Sequence, residues 1–304
     1  RARMQFSPIS RRPQQPGSTE TEPTRMEQKS PVELRCALIG HPVAHSRSPL
    51  IHRLFAEQFS LPLRYDLLDV EGPAFNAAVR QFFATGGLGL NVTVPHKMAA
   101  FALADQATAR AAMAGAVNTL RKDHGRLVAD NTDGAGLVRD LTANHGIELG
   151  AARILILGAG GAVRGCLGPI LETGPALVRI ANRTAARARQ LASDFTRLGT
   201  VEGCGFDDLE TATSPFDLVI HATSAGLTGQ TPKFNRRCIA ASTFCYDMFY
   251  ADGDTAFLRW CREAGTRRLA AGWGMLVEQA AESFEFWHGR RPQTGSVIAR
   301  LLSA

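Results

Sequence analysis

The chain has 304 residues, 45% of them hydrophobic, and a formal net charge of +6. That is enough apolar material for a substantial core, most simply for two domains. No apolar run reaches the ~18 residues of a membrane span, no His/Cys spacing suggests a metal site, and no basic–aromatic interleaving suggests nucleic acid.

The first thirty residues carry six Arg/Lys and three Glu, and so hold half of the excess charge. The rest is mildly basic, which suits an anionic small ligand. Residues 1–30 are rich in Arg, Pro, Gln, Ser, Thr and Glu and read as a disordered leader. They lack the apolar core of a secretory signal. Met26 is a candidate natural start, and the three Glu disfavour a transit peptide. The cysteines, Cys36, Cys166, Cys204, Cys238, Cys245 and Cys261, form no C-x-x-C pair and read as scattered thiols of a reducing cytoplasm.

Order begins at Val32. Residues Leu34 to Gly40 read as a strand, followed by the loop His41-Pro42-Val43-Ala44-His45-Ser46-Arg47-Ser48-Pro49. Pro49 suits a first helical turn, with Ser48 as its N-cap. Ser46 is not needed for capping, and the two hydroxyls are candidates for holding a polar ligand. A strand from Leu63 to Val70 and a helix from Pro73 to Ala84 follow. Leu88 to Val94 reads as a buried strand stopped by Pro95. It places Asn91, Thr93 and Lys97 at a C-terminal strand edge, where open α/β sheets bind ligands.

Helices are expected from Met98 to Ala104 and from Ala107 to Ala114. Two short strands, Gly115 to Leu120 and Arg126 to Ala129, flank Asp123-His124-Gly125. The polar run Asp130-Asn131-Thr132-Asp133-Gly134 precedes a helix from Gly136 to Asn144, and capping explains only part of it.

A second unit opens at Arg153. The buried strand Ile154 to Leu157, the turn Gly158-Ala159-Gly160-Gly161-Ala162 and a helix to Leu171 form the opening of a dinucleotide fold. Val163 stands where that motif places its third glycine. The next strand, Leu177 to Ala181, ends in Asn182-Arg183-Thr184, with Arg187 one helical turn on. An acidic residue there would bind the ribose of NAD, whereas arginines suit the 2′-phosphate of NADP. A solvated basic helix is the plainer reading of the same run. Strands at Phe216 to His221 and Thr243 to Tyr250 follow, the first leading into Ala222-Thr223-Ser224-Ala225-Gly226. Amphipathic helices from Met275 to His288 and Gly295 to Leu302 close the chain and are expected to fold back on the first domain.

From Leu34 onward, these segments in this order resemble the NADP-dependent shikimate dehydrogenase family. The resemblance is carried by Ser46 and Ser48, Asn91-Val92-Thr93-Val94-Pro95-His96-Lys97, Gly115-Ala116-Val117-Asn118-Thr119 and Asp130 to Gly134. It continues through Gly158 to Ala162, Asn182-Arg183-Thr184, Tyr246-Asp247-Met248-Phe249-Tyr250 and Gly274-Met275-Leu276-Val277-Glu278-Gln279-Ala280.

The resemblance implies an α/β protein of two domains, a substrate domain (31–133 plus 273–304) and a Rossmann-like NADP-binding domain (134–272). It implies NADP(H) as cofactor, no metal, and shikimate or 3-dehydroshikimate as the small-molecule substrate. Neither nucleic acid nor membrane is an expected partner, and the protein is expected to be a cytoplasmic monomer or homodimer. Lys97 matches the family's catalytic lysine and Asp133 its partner. Ser46, Ser48, Thr93, Asn118, Asp133, Tyr250 and Gln279 match substrate contacts. Gly158, Ala159, Gly160, Gly161, Ala162, Asn182, Arg183, Thr184, Arg187, Met248 and Gly272 match cofactor contacts.

Three residues depart from the family pattern. His96 stands where an aromatic residue is frequent, His221 replaces a common asparagine, and Trp273 replaces a smaller apolar residue. The alternatives are a quinate/shikimate dehydrogenase of broader specificity, a relative using NAD, and a non-catalytic NADP-binding regulator. Both Lys97 and Asp133 are present, which argues against the last.

Overall fold

The computed structural model describes residues 33–211, 214–223, 234–251 and 253–303. The leader 1–30 with Met26, and Ser224-Ala225-Gly226, lie outside the described residues. Among the described residues, those from Glu33 onward form one compact unit built on two six-stranded sheets.

The first sheet runs β2-β1-β3-β5-β6-β4, with β1 Leu34–Gly40, β2 Leu63–Asp69, β3 Gly89–Val92, β4 Gln106–Ala107, β5 Thr119–Asp123 and β6 Arg126–Asp130. β1 pairs in parallel with β2 and β3, whereas β5 runs antiparallel to both β3 and β6. The parallel pairs need crossovers. These are α1 (Ser48–Gln58) and a single 3₁₀ turn leading into α2 (Phe75–Ala84). β5 and β6 are joined by the two-residue turn His124-Gly125, with φ of 46° and 82°. That left-handed pair is the hairpin geometry that matches strand twist. α3 (Lys97–Leu103) and α4 (Ala109–Ala114) complete this half.

The second sheet runs β12-β11-β10-β7-β8-β9 and is wholly parallel. Its strands are β7 Arg153–Leu157, β8 Leu177–Asn182, β9 Val201–Gly205, β10 Leu218–His221, β11 Phe244–Asp247 and β12 Leu269–Ala271. This is the doubly wound dinucleotide-binding order, with the switch point between β7 and β10. α6 (Gly161–Glu172) and α7 (Ala185–Phe195) cover one face, and α8 (Ala256–Glu263) covers the other.

Between the sheets run α5 (Asp133–Arg139) and α9 (Trp273–His288), with α10 (Gly295–Leu302) after them. α5 is clamped on two sides. A Cβ on Gly134 would lie 2.7 Å from the Gly165 carbonyl oxygen on α6, and one on Gly136 would lie 2.6 Å from the Gln279 nitrogen on α9. Glycine is the residue that permits both approaches. Val277, Ala280, Ala281 and Phe284 of α9 pack with Ile51 and Phe55 of α1 and with Val297 and Leu301 of α10. The C-terminal helices therefore return to the first half, as expected.

Several boundaries differ from the sequence reading. β3 stops at Val92 because the chain turns at Val94 and Pro95, with His96 N–H donating to the Thr93 carbonyl (3.0 Å). Ser48 is not an N-cap but the first residue of α1, and Ser46 Oγ accepts from the Ser48 N–H (3.2 Å). The N-cap position is Arg47, without a side-chain cap, and the Ser46 contact is a local turn of the loop. α5 begins at Asp133 rather than Gly136, and its last stretch, Asp140–Asn144, widens into a π turn. The strand expected to reach Tyr250 ends at Asp247.

One buried group sets a pH limit. His52 of α1 is fully enclosed and stacks on Tyr65 at 4.4 Å, with Trp287 at 5.2 Å. Its ring nitrogens have no hydrogen-bond partner among the described residues. Burial pushes its pKa down to about 3, with His288 adding to the effect. The unfolded chain regains the ordinary value and binds the proton first, so His52 contributes its full stability above about pH 6.5 and loses it as pH falls toward 3. The loss by about pH 5 should be on the order of 2 kcal/mol. Urea midpoints at the two pH values should fall accordingly, and His52→Phe should flatten the dependence. An unchanged slope in that variant would contradict the assignment.

Candidate active site

Lys97 opens α3 directly after the turn that ends β3, and its carbonyl accepts the Val117 N–H (2.9 Å). Its ammonium donates to Asp133 Oδ2 at 2.5 Å, the side chains being 22% and 10% exposed. The pair is thus shielded but reachable. The carboxylate of Asp133 sits at the first turn of α5, where the helix dipole favours negative charge.

Asn118 holds the other oxygen. Its Nδ2 donates to Asp133 Oδ1 (2.9 Å) and Thr132 Oγ1 (2.8 Å), and lies 3.3 Å from Gln279 Oε1. Its own Oδ1 accepts from the Thr132 N–H and from Thr119 Oγ1. Asn131 Oδ1 accepts the Asp133 N–H (3.1 Å). Each of these buried polar groups is paired, so the Lys97–Asp133 geometry is locked from behind. One turn upstream, Arg110 grips Asp130 through both oxygens (2.7 and 2.5 Å) and reaches Glu282 of α9 (3.0 Å). Burial works against the charge on Asp130, but Arg110 overrides it and holds the carboxyl below its ordinary range.

The structure brings together Lys97, Asp133, Asn118 and Gln279 from α3, α5, the start of β5 and α9. Thr93 lies at the same strand edge, its N–H bonded to the Ile39 carbonyl at the end of β1 (2.9 Å). Ser46, on the loop leaving β1, and Ser48, at the start of α1, form a hydroxyl pair at 3.1 Å. Tyr250 stands beyond β11 and packs on Trp273 at 4.5 Å. Burial pushes its phenol above the ordinary value, and nearby Arg47 acts the other way.

Supporting residues stand behind this group. Asn91 Nδ2 donates to the Asn118 carbonyl, Thr119 Oγ1 and Ser283 Oγ, and Asn91 Oδ1 accepts from the Tyr65 hydroxyl (2.8 Å). Asn91 is visible in the sequence at its strand end. The supporting roles of Tyr65 and Ser283 escape sequence reasoning, because neither carries a local signal; Thr119 stands in the Gly115 to Thr119 motif, but its bond to Asn91 shows only in the fold.

A second group of residues surrounds the β7–β10 switch point. Gly158 has φ of +121°, and a Cβ there would lie 3.0 Å from the Ala222 carbonyl oxygen, so only glycine lets the two strand ends meet. Gly160 caps α6 and Gly161 begins it, while Ala159 and Ala162 flank them. A Cβ on Gly160 or Gly161 would meet nothing within 4 Å. Open space before the N-terminus of a twelve-residue helix fits a pyrophosphate. Val163, in place of the third glycine, is buried in the core beneath the helix.

At the end of β8, Asn182 Nδ2 donates to the Thr184 carbonyl (3.1 Å), shaping the turn into α7. Arg183 and Arg187 are exposed and form no ion pair among the described residues, whereas Arg189 lies 3.7 Å from Asp208. The basic run therefore divides into one arginine beside a carboxylate and two with no ion-pair partner among the described residues. Met248 and Gly272 are also brought together, since a Cβ on Gly272 would lie 2.5 Å from the Met248 carbonyl oxygen. Of the departures, His96 is buried, stacks on Phe75 and bonds the Val70 carbonyl (2.7 Å).

Family models described as the shikimate dehydrogenase substrate-binding domain, shikimate/quinate 5-dehydrogenase and the shikimate 5′-dehydrogenase C-terminal domain match residues 38–120, 140–248 and 272–302. A shikimate dehydrogenase (NADP(+)) of Alkalilimnicola ehrlichii is 52% identical over 267 residues, covering 88% of this chain and 98% of the relative. Among solved structures, an Ael1 enzyme from Pseudomonas putida matches with a TM-score of 0.83 at 44% identity, over 88% of this chain and 98% of the other. Shikimate 5-dehydrogenase from Thermus thermophilus, solved with NADP(H) and shikimate, matches with a TM-score of 0.78 at 32% identity, over 88% and 99%. With its paired lysine and aspartate, glycine turn and doubly wound second sheet, the chain belongs to the shikimate dehydrogenase family.

Proposed function

We propose that the protein catalyses the reversible NADPH-dependent reduction of 3-dehydroshikimate to shikimate, a step toward chorismate. The observation that carries this reading is the buried-backed ion pair of Lys97 and Asp133, set at a C-terminal strand edge among amides and hydroxyls. The first sheet with α9 and α10 (31–133 plus 273–304) carries the substrate, and the second (134–272) carries the cofactor.

NADP(H), when held at this edge, would supply or accept the hydride. The protein's part is placement and the proton. In the reductive direction the ammonium of Lys97 donates a proton to the oxygen that gains charge at the substrate carbonyl; in the oxidative direction the amine takes it back. Asp133 holds Nζ in place and accepts from a substrate hydroxyl. Ser46 and Ser48, beside Arg47 and Tyr250, receive the carboxylate, while Thr93, Asn118 and Gln279 meet the remaining hydroxyls. A site that hydrogen-bonds each hydroxyl rejects analogues that leave its buried groups unpaired. Gly158 to Ala162 receive the pyrophosphate. Asn182, Arg183, Thr184 and Arg187 take the adenosine end, and Met248 with Gly272 flank the nicotinamide path.

A steady-state assay with shikimate and quinate, each with NADP⁺ and NAD⁺, tests this directly. The expected order places shikimate with NADP⁺ first. Equal or greater kcat/KM for quinate would move the reading to the broader-specificity dehydrogenase.

A further inference from the structure

His221 is a departure that the catalytic reading leaves unused. It ends β10, is fully buried, and lies in register with Asp247 of β11 on one side and Leu157 of β7 on the other. Its ring stacks on Phe257 at 4.7 Å. Both nitrogens are engaged: Nδ1 lies 3.0 Å from Asp247 Oδ1, and Nε2 lies 2.7 Å from Thr223 Oγ1. Asp247 is itself held, accepting from Thr255 Oγ1 (2.5 Å) and the Phe249 N–H (3.1 Å). Thr223 borders the glycine turn, since a Cβ on Gly158 would lie 3.4 Å from its methyl.

The chemistry of this chain of contacts has one direction. A carboxylate only accepts, so in the singly protonated ring the hydrogen sits on Nδ1 and points at Asp247. Nε2 is then an acceptor, and the Thr223 hydroxyl spends its only proton there. What Thr223 offers to the cleft is lone pairs. We propose that His221, fixed by Asp247, is a positioning residue that makes Thr223 an obligate hydrogen-bond acceptor. This edge of the switch point then takes a donor group of the dinucleotide, a ribose hydroxyl or the carboxamide N–H, and repels a phosphate oxygen. The inference rests on the assignment of the dinucleotide to this sheet edge.

The test is a double-mutant cycle read by NADPH binding, followed by fluorescence. In His221→Asn the amide still reaches Asp247 from the Nδ1 position but no longer reaches Thr223. It should weaken NADPH by about three- to tenfold, the worth of one oriented hydrogen bond. Thr223→Val should do the same, and adding His221→Asn to Thr223→Val should cost nothing more. His221→Gln, which carries an acceptor to the Nε2 position, should bind NADPH nearly as the unaltered protein does. Equal losses from His221→Asn in both backgrounds, or no loss in either, would overturn the relay. Should the asparagine variant fail to fold, the glutamine variant decides: near-normal binding upholds the relay and a full loss overturns it. If the unaltered protein binds no NADPH, the assignment of the dinucleotide fails and this inference with it.

Discussion

Lys97→Ala should fold normally and lose turnover by roughly 10²–10⁴, the usual worth of a positioned acid–base group. The loss should appear in kcat at saturating shikimate and NADP⁺. Folding is expected to survive because the side chain is not part of the core and because Asp133 keeps its other partners, Asn118 at 2.9 Å and the Asn131 oxygen on its own N–H. The substitution does leave one carboxylate oxygen without its cation. Asp133 is 10% exposed, so water can replace that partner at modest cost. Near wild-type kcat would show that the proton travels by another route.

Replacing both Arg183 and Arg187 by leucine should weaken NADP⁺ by a factor on the order of 10²–10³ and change NAD⁺ little. Arg183 precedes α7 and Arg187 sits in its first turn, with the Arg187 N–H bonded to the Thr184 carbonyl (3.0 Å). Both guanidinium groups therefore flank one helix start. Their exposure places the effect nearer the lower bound and makes it salt-sensitive. The neighbouring Arg189 serves as the internal control, because it is already engaged with Asp208. KM values for the two cofactors in the double variant check this. An unchanged NADP⁺/NAD⁺ ratio would mean that the 2′-phosphate is held elsewhere.

The parts of the fold that are legible in the sequence share a physical cause. β1, β7, β10 and β11 are apolar runs buried on both faces, and such runs announce themselves. The misreadings also share one. The sequence pattern places the start of α5 three residues late because Gly134 and Gly136 lower helix propensity. Those glycines are there because α6 and α9 press on the helix from either side, a tertiary demand that no local pattern carries. β9 escapes sequence reading for the same reason: its sequence, Val-Glu-Gly-Cys-Gly, is poor in strand formers, and Gly203 is required by the close approach of the Ala188 backbone. β12 is three residues long and lacks a β-branched side chain. α8 carries a readable signal, Thr255 capping the Leu258 N–H.

The candidate site divides in the same way. Asn91, Thr93, Lys97, Asn118 and Asp133 stand at strand ends, helix starts and turns, where polar residues in apolar surroundings are conspicuous. Ser283 is one serine inside an amphipathic helix, 192 residues from Asn91, and only folding shows that it ties the amide network to α9. His221 reads in the sequence as a replacement for a common asparagine, whereas in the fold it is held at both nitrogens.

Lys97 is expected to move the proton within a site that assembles without it. The most direct test is the dissociation constant of shikimate for Lys97→Ala, measured by calorimetry with NADPH present so that neither protein turns over. The expected value lies within about tenfold of the unaltered protein's, because one contact among many is removed. Loss of shikimate binding by a far larger factor, with turnover restored once the site is saturated, would contradict it and reduce Lys97 to a substrate anchor.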